Sequence, residues 1–417
     1  MEPVRFVHAA DLHLDAPFKG IDATDARVGT ELMATTYRAL DAIVELCLTR
    51  DVDFLVIAGD VYNASEKRPR AEFAFRRACE RLAEAGIRVF VARGNHDPAS
   101  GWSAGLVMPE TVHVFSEREV ERVPVVRDGE EVCAVYGRSF RTAAEGANLA
   151  TGFVRDAADR LAVGVLHTNV GGRTDYEPYA PCSLEDLRAA RMDYWALGHI
   201  HKPEVLSDDP AIAYAGCPQG LDPNETGPRG CRVVTLDERG VTAEFVPTAP
   251  VVWERANVDC SAIDSIDGLR AAVLGVAEDA ARDAGERPVV MRIELAGRSD
   301  VHGALARPGM LADLVADLRA DGLERDPWVW IDRISDRTRP VVDLDALRAG
   351  QDFAGDLVRL ADAVASDPDA LNGLMGEASG PVLALLDSRD VPVIDAASVL
   401  ERARDLALDR LLAEESR

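Results

Sequence analysis

Short apolar runs that each stop at a glycine, an aspartate or a histidine constrain this chain more than any other feature. Residues 4–10, Val-Arg-Phe-Val-His-Ala-Ala, end at Asp11; Asp53–Ala58 ends at Gly59-Asp60; Arg88–Ala92 leads into Gly94-Asn95-His96-Asp97. Runs this short, closed by turn-forming residues, are buried strands. Between them lie longer stretches with helical periodicity. Ala26–Arg50 carries Leu32, Leu40, Ile43, Val44 and Cys47 on one face, and Arg70–Ala85 ends at Gly86, a C-cap residue. Strand and helix in alternation mean βαβ units and a largely parallel sheet. Polar side chains just past the strand ends then gather at one rim.

The pattern turns strand-rich after the third run, with Glu131–Tyr136, Leu161–His167, Asp193–Leu197, Ile212–Ala215, Arg232–Leu236 and Val241–Pro247. A second, mixed sheet packed on the first, with helices outside, accommodates them. Pro247-Thr-Ala-Pro250 breaks the chain. A smaller α+β block follows: strands at Val252–Val258, Pro288–Leu295 and Trp328–Ile331, and helices at Ile266–Ala284 and Met310–Gly322. Pro340 opens an acidic helical segment in two amphipathic pieces, near Asp345–Ala365 and Ala396–Glu415. A chain of 417 residues has room for this division into 1–249, 250–339 and 340–417.

The strand-end residues are those of a two-metal phosphoesterase site. Asp11 and His13, two apart on an extended segment, project to one face, and His199 and His201 do the same. Asp60 stands where one carboxylate can bridge two ions, Asn95 offers an amide oxygen, and His167 an imidazole from a separate strand end. Five of the eight histidines fall in these motifs; His8, His113 and His302 lie outside them and read as core or surface residues. A Gly-Asp turn or a single histidine at a strand end is ordinary structure by itself. The set, in order and in context, is not. Asp, His and Asn ligands without a thiolate suit Mn²⁺, Fe or Zn²⁺ rather than Ca²⁺, and Mn²⁺ is our first choice. Two such ions, roughly 3.5–4 Å apart, clamp the nucleophile and phosphate of an in-line displacement. His96 is left as a general acid or as a cation against the developing charge.

Composition excludes other classes. Seven scattered cysteines with no CxxC pair argue against a disulfide framework and a structural zinc site. No apolar run reaches the roughly 20 residues of a membrane span. The first residues enter a strand directly instead of forming a signal peptide. A soluble, cytoplasmic protein with no membrane partner is expected. The net charge of −26 is unlike that of a protein that holds nucleic acid unaided, although two bound divalent cations would offset part of it.

Over residues 4–247 these motifs resemble the calcineurin-like metallophosphoesterase superfamily. More narrowly the chain resembles the SbcD-type DNA repair nucleases, in their YhaO-like branch. That likeness rests on Asp11-Leu-His-Leu-Asp-Ala-Pro-Phe-Lys-Gly20, Tyr179-Ala-Pro-Cys182, Asp193-Tyr-Trp-Ala-Leu-Gly-His-Ile-His-Lys202 and Glu225-Thr-Gly-Pro-Arg-Gly-Cys231. The resemblance implies a four-layer αββα sandwich, a small α+β capping domain that recognises DNA, and a helical C-terminal segment docking on an SbcC-like ATPase. It implies a dinuclear, usually Mn²⁺-dependent site that hydrolyses DNA phosphodiesters as an exonuclease or endonuclease. It also suggests a homodimer. Carried over residue by residue, one ion takes Asp11, His13, Asp60 and His201, and the other Asp60, Asn95, His167 and His199. His96 acts on the phosphate or leaving group, with Asn63 and Asp97 in support. Many members carry an aspartate at the position of Asn63, where it orients the histidine corresponding to His96. Leu221-Asp222 stands where a basic residue is expected near the substrate. The alternative is a phosphodiesterase or phosphatase for small molecules, such as cyclic nucleotides.

Overall fold

The computed structural model describes residues 2–16, 18, 26–63, 69–101, 105–383 and 395–415; Pro17, Lys19 and Gly20 of the first motif lie outside them. Two six-stranded sheets are present among the described residues. Across the first run β12 (Gly240–Pro247), β11 (Gly230–Asp237), β1 (Val4–Ala9), β2 (Phe54–Ala58), β3 (Arg88–Ala92) and β4 (Val112–Val114). Across the second run β5 (Glu121–Arg127), β6 (Glu130–Gly137), β7 (Ala162–His167), β8 (Tyr194–Gly198), β10 (Ala211–Tyr214) and β9 (Glu204–Asp208). Strands β1 to β4 pair in parallel, and so do β6, β7, β8 and β10. The antiparallel strands β11, β12, β5 and β9 complete the sheets.

Alternate residues of each central strand face opposite layers. Phe6 stacks on Phe54 at 4.7 Å, Phe54 meets Phe90 edge-on at 5.5 Å, and Phe6 meets Tyr194 of the other sheet at 5.5 Å. Val135, Val163 and Ala196 close this inter-sheet core. The intervening residues Val7, Leu55, Ile57, Val89 and Val91 pack on the apolar faces of α1 (Ala26–Thr49) and α2 (Pro69–Glu84). Pro69 opens α2 where a missing N–H costs nothing. Gly86, at φ +75°, lets Ile87 N–H return to the Leu82 carbonyl at 2.9 Å and stops the helix. On the second sheet Trp195, Ile212 and Tyr214 lie under α3 (Leu184–Ala189) and its neighbouring loop. The order is helix, sheet, sheet, helix. With both faces covered, the central strands are continuous apolar runs.

Beyond residue 250 a three-stranded sheet holds β13 (Val252–Asp259), β14 (Val289–Ala296) and β15 (Val329–Asp336), with helices α4 (Ile266–Ala284), α5 (His302–Leu305) and α6 (Met310–Leu323). The C-terminal segment is helical: α7 (Leu344–Ala349), α8 (Phe353–Ala365), α9 (Pro368–Leu383) and α10 (Ala396–Glu415). The stretch read as one piece from Asp345 is two helices. Asp352 starts α8 by accepting from Gly355 N–H at 2.8 Å. The chain divides into two compact units: Met1–Ala256 with Val276–Ile293 and Ala316–Arg333, and Asn257–Gly275 with Glu294–Val315 and Ile334–Arg417. In the second, Ala354, Val358 and Leu408 form a small core, and Arg298 pairs with Asp405 and Asp409 of α10. All seven cysteines are unpaired and buried. Among the described residues no helix is long and apolar enough to cross a membrane.

Candidate metal centre

The C-terminal ends of β1, β2, β3, β7 and β8 meet at one rim. Past β1 the chain keeps running beside the segment that follows β2: Asp11 N–H bonds the Gly59 carbonyl, His13 N–H that of Asp60, and Leu14 N–H that of Val61, each at 3.0 Å. This places Asp11 and His13 against Asp60. The Asp60 carboxylate lies 3.8 Å from His13 Nε2 and 3.5 Å from His167 Nε2, so it faces both. Asp11 accepts from His199 N–H through both oxygens at 3.1 Å. His201 and His13 approach Nε2 to Nε2 at 3.1 Å, and Asn95 Oδ1 meets His167 Nε2 at 2.9 Å.

Each imidazole is anchored through one nitrogen, and that fixes the other. His167 Nδ1 donates to the Ala58 carbonyl at 2.9 Å, and His199 Nε2 to the Glu177 carbonyl at 2.8 Å. His13 Nδ1 donates to Asn63 Oδ1 at 3.1 Å, and His201 Nδ1 to the Glu225 carboxylate. The remaining nitrogens of the neutral rings, Nε2 of His13 and His167 and Nδ1 of His199, therefore carry lone pairs, whereas Nε2 of His201 carries a proton while that ring is charged. At the centre the charged His201 gives its Nε2 proton to His13 Nε2, and His167 Nε2 meets Asn95 Oδ1 acceptor to acceptor. In that orientation the Asn95 oxygen and the His167 lone pair repel unless the amide turns to donate or something positive lies near both, and a cation meets the second requirement.

The electrostatics agree. Burial, opposed by His201 and reinforced by Asp60, raises Asp11 above the carboxylate range, and burial raises Asp60 too. Burial and the neighbouring imidazoles hold His13 well below its usual value and lower His167 and His199 to about 3. Burial also opposes charge on His201, but Glu225 and the nearby aspartates carry it up to about 9. Without a cation, the cluster puts its positive charge on that ring. Groupings of donor atoms fitted to an ion include Asp11 with His13 and His201, Asp11 with Asp60 and His167, and His13 with Asp60 and His96. Nitrogen and oxygen donors with no thiolate at the centre fit a divalent transition ion.

Asp97 is structural support. Its buried carboxylate accepts from Gly94 N–H at 2.7 Å, Val61 N–H at 2.8 Å and Asp60 N–H at 3.3 Å, tying the β2 and β3 loops together. Gly59 (φ +96°) is where the first sheet passes under His167; an added Cβ would lie 2.2 Å from Nδ1. His96 donates its backbone N–H to Asp60 at 2.8 Å, while its side chain is exposed beside His13.

One expectation changes. The Asn63 oxygen bonds His13, a candidate ligand, instead of orienting His96, because residues past β2 run alongside those past β1. Leu221-Asp222, read as a place for a basic residue, instead gives its backbone N–H groups to Glu225. Glu225 was absent from the sequence-derived site; only its place in the Glu225–Cys231 motif pointed to it. Tyr176 and Tyr179 flank His199 with ring centroids at 6.0 and 5.7 Å. His8 is a core residue, bonded to the Tyr194 hydroxyl and the Leu197 carbonyl.

Residues 4–203 match the calcineurin-like phosphoesterase family, and the chain belongs to it. Residues 253–339 match the middle domain of the metallophosphoesterase YhaO. The corresponding relative, from Bacillus subtilis (strain 168), is described as an uncharacterized metallophosphoesterase; it is 32% identical over 345 residues, covering 82% of this chain and 84% of that one. Among solved structures, a dimetal phosphatase from Danio rerio is 11% identical, with a TM-score of 0.35 over 60% of this chain and 98% of its own. A purple acid phosphatase from yellow lupin is also 11% identical, with a TM-score of 0.35 over 59% and 52%. Calcineurin-like phosphoesterases use a dinuclear divalent metal site, and the donor set described above fits one.

Proposed function

We propose that this phosphoesterase is a DNA nuclease, the hydrolytic subunit of a cytoplasmic SbcCD-like repair complex, with two Mn²⁺ ions as its native metals. The observation that carries the hydrolytic part is the convergence at one rim of the His13, His167 and His201 rings with the buried Asp11 and Asp60 carboxylates. Asp11, His13, Asp60 and His201 would hold one ion; Asp60, Asn95, His167 and His199 the other. Bound there, divalent cations supply Lewis acidity, acidifying water and screening the phosphate charge. The chain's own residues do the rest. Buried carboxylates and fixed imidazole tautomers preorganise the ligands. His96, exposed beside His13, is placed to give a proton to a leaving oxygen or to face the developing charge.

The substrate class rests on the motif resemblance to SbcD-type nucleases. The net charge of −26 favours a second reading, a small-molecule phosphodiesterase or phosphatase. Under the first reading an SbcC-like ATPase contributes the basic surface that holds DNA, and this chain pairs with a second copy of itself. The test is hydrolysis with Mn²⁺, at low and high salt, of an end-labelled DNA duplex and bis-p-nitrophenyl phosphate side by side. Cleavage of both supports the nuclease. Cleavage of the ester alone, unchanged when the ATPase is added, favours the small-substrate reading; cleavage of neither removes the hydrolase assignment.

A further inference from the structure

The loop between β10 and β11 is built around a single carboxylate. Glu225 uses one oxygen for His201 Nδ1 and the other for the N–H groups of Leu221 at 2.6 Å and Asp222 at 3.2 Å. The same loop returns to His201 through its backbone. Cys217 N–H donates to the His201 carbonyl at 3.0 Å, and the buried Arg229 guanidinium caps that carbonyl while bonding the Glu225 carbonyl at 3.1 Å and the Thr226 carbonyl at 2.9 Å. His201 is thus gripped at both ring and main chain by residues 217–229.

The loop is in turn fixed from the segment that enters β13. Gln219, buried, exchanges two hydrogen bonds with the Val251 backbone, at 3.0 and 3.2 Å, and Trp253 Nε1 donates to the Gly220 carbonyl at 3.0 Å. Gly220 is pressed so closely between Glu225 and Trp253 that an added Cβ would meet them at 2.9 and 3.1 Å. The chain of contacts from Trp253 through Gly220 and Glu225 to His201 has no slack.

We propose that Glu225 is a positioning residue for the metal centre. It fixes the tautomer and plane of His201 so that Nε2 is presented to one of the two ions, and the Val251–Trp253 segment holds Glu225 in place through the loop. This rests on the reading of His201 as a ligand. A carboxylate on the far nitrogen of a ligating imidazole changes metal affinity by about 10–100-fold when removed. Glu225→Ala should therefore weaken one Mn²⁺ by that factor and spare the other. Glu225→Gln keeps the side-chain volume but has one acceptor oxygen for three donors, and should recover part of the loss.

The experiment is a titration of full-length protein with Mn²⁺, read by the paramagnetic resonance signal of the free ion. Melting in chelator, followed by circular dichroism, runs in parallel. Selective weakening of one ion in Glu225→Ala, partly restored in Glu225→Gln, supports the proposal. Wild-type affinity for both ions in both variants overturns it. So does equal loss of both ions together with a collapsed melting transition in Glu225→Gln, which would make the residue a general stabiliser of the fold. If Glu225→Ala does not fold, the near-isosteric Glu225→Gln decides alone. A wild-type protein that binds no Mn²⁺ would instead remove the ligand reading of His201.

Discussion

Gly59→Ala is the sharpest test of how closely the fold and the metal centre share the same atoms. The new Cβ would lie 2.2 Å from His167 Nδ1 and 2.7 Å from its Cγ, against about 3.5 Å for an ordinary contact. The ring has nowhere to go: His167 is fully buried, edge-on to Phe140 at 5.3 Å, and tied to the Ala58 carbonyl at 2.9 Å. Three costs follow. Placing a β-carbon at φ +96° costs about 1–2 kcal/mol. Overpacking the core costs about 1–3 kcal/mol, and breaking the His167 hydrogen bond leaves a buried carbonyl short of its donor, for about 1–3 kcal/mol.

Gly86→Ala supplies the control. Its φ is +75° but nothing lies within 4 Å of the added carbon, so it bears the backbone cost alone. The loss of unfolded-chain entropy is common to both substitutions and cancels in their difference. Gly59→Ala should thus be less stable than Gly86→Ala by about 2–6 kcal/mol. Melted in chelator, that is a Tm lower by about 3–10 °C for a unit of this size. Mn²⁺ should raise the Tm of wild type and Gly86→Ala but raise that of Gly59→Ala much less, because His167 has been displaced. Equal melting temperatures for the two variants would refute the packing argument.

Other substitutions separate the roles within the site. Asp60→Ala should abolish Mn²⁺-dependent hydrolysis of bis-p-nitrophenyl phosphate while the far-ultraviolet dichroism stays that of wild type; a retained rate would end the bridging assignment. His96→Ala should lose turnover and keep both ions in a Mn²⁺ titration, and loss of the ions would make His96 a ligand. On α8, Phe353 and Leu360 are 70% and 63% exposed. Changing both to serine should leave ester hydrolysis intact and abolish pull-down of an SbcC-like ATPase, whereas an unchanged pull-down rules out docking through that face.

The sandwich was legible because its central strands are buried on both sides. That demand writes Phe-Leu-Val-Ile-Ala at β2 and Arg-Val-Phe-Val-Ala at β3, runs that leave little choice of reading. Edge strands carry no such demand. β5 reads Glu-Arg-Val-Pro-Val-Val-Arg, with a proline, charged ends and an irregular register after Val125, and β9 is Glu-Val-Leu-Ser-Asp. Neither declares itself without its partner strand. The residues assigned to the metal centre stand out in the sequence for a related reason: each follows a recognisable strand in a short motif. Their supports were not. Glu225 lies 24 residues from His201 and reaches it only once Gln219 and Trp253 have folded the loop. Asn63 was assigned to the wrong histidine because the pairing of the segments after β1 and β2 is a long-range fact.

The backbone adds a final argument for the site. Asp11, His13, Asp60 and His199 adopt φ values of 52°, 44°, 54° and 100°, in the region that disfavours side chains. Each costs of order 1–3 kcal/mol and persists only where the surroundings over-determine it. Here they do, through the paired loop amides, the Asp97 clamp and the inter-sheet core. The strain falls on four of the residues assigned to ligate metal, at the same rim where burial raises the Asp11 and Asp60 carboxyls. Two independent costs, backbone and electrostatic, are thus concentrated in a region the size of two cations. Bound ions relieve the electrostatic cost and leave the backbone already in place, so the ligands need no reorganisation at binding. Mn²⁺ should accordingly stabilise the folded chain with the logarithm of its concentration over Kd, and chelator should return it to a lower, metal-independent Tm.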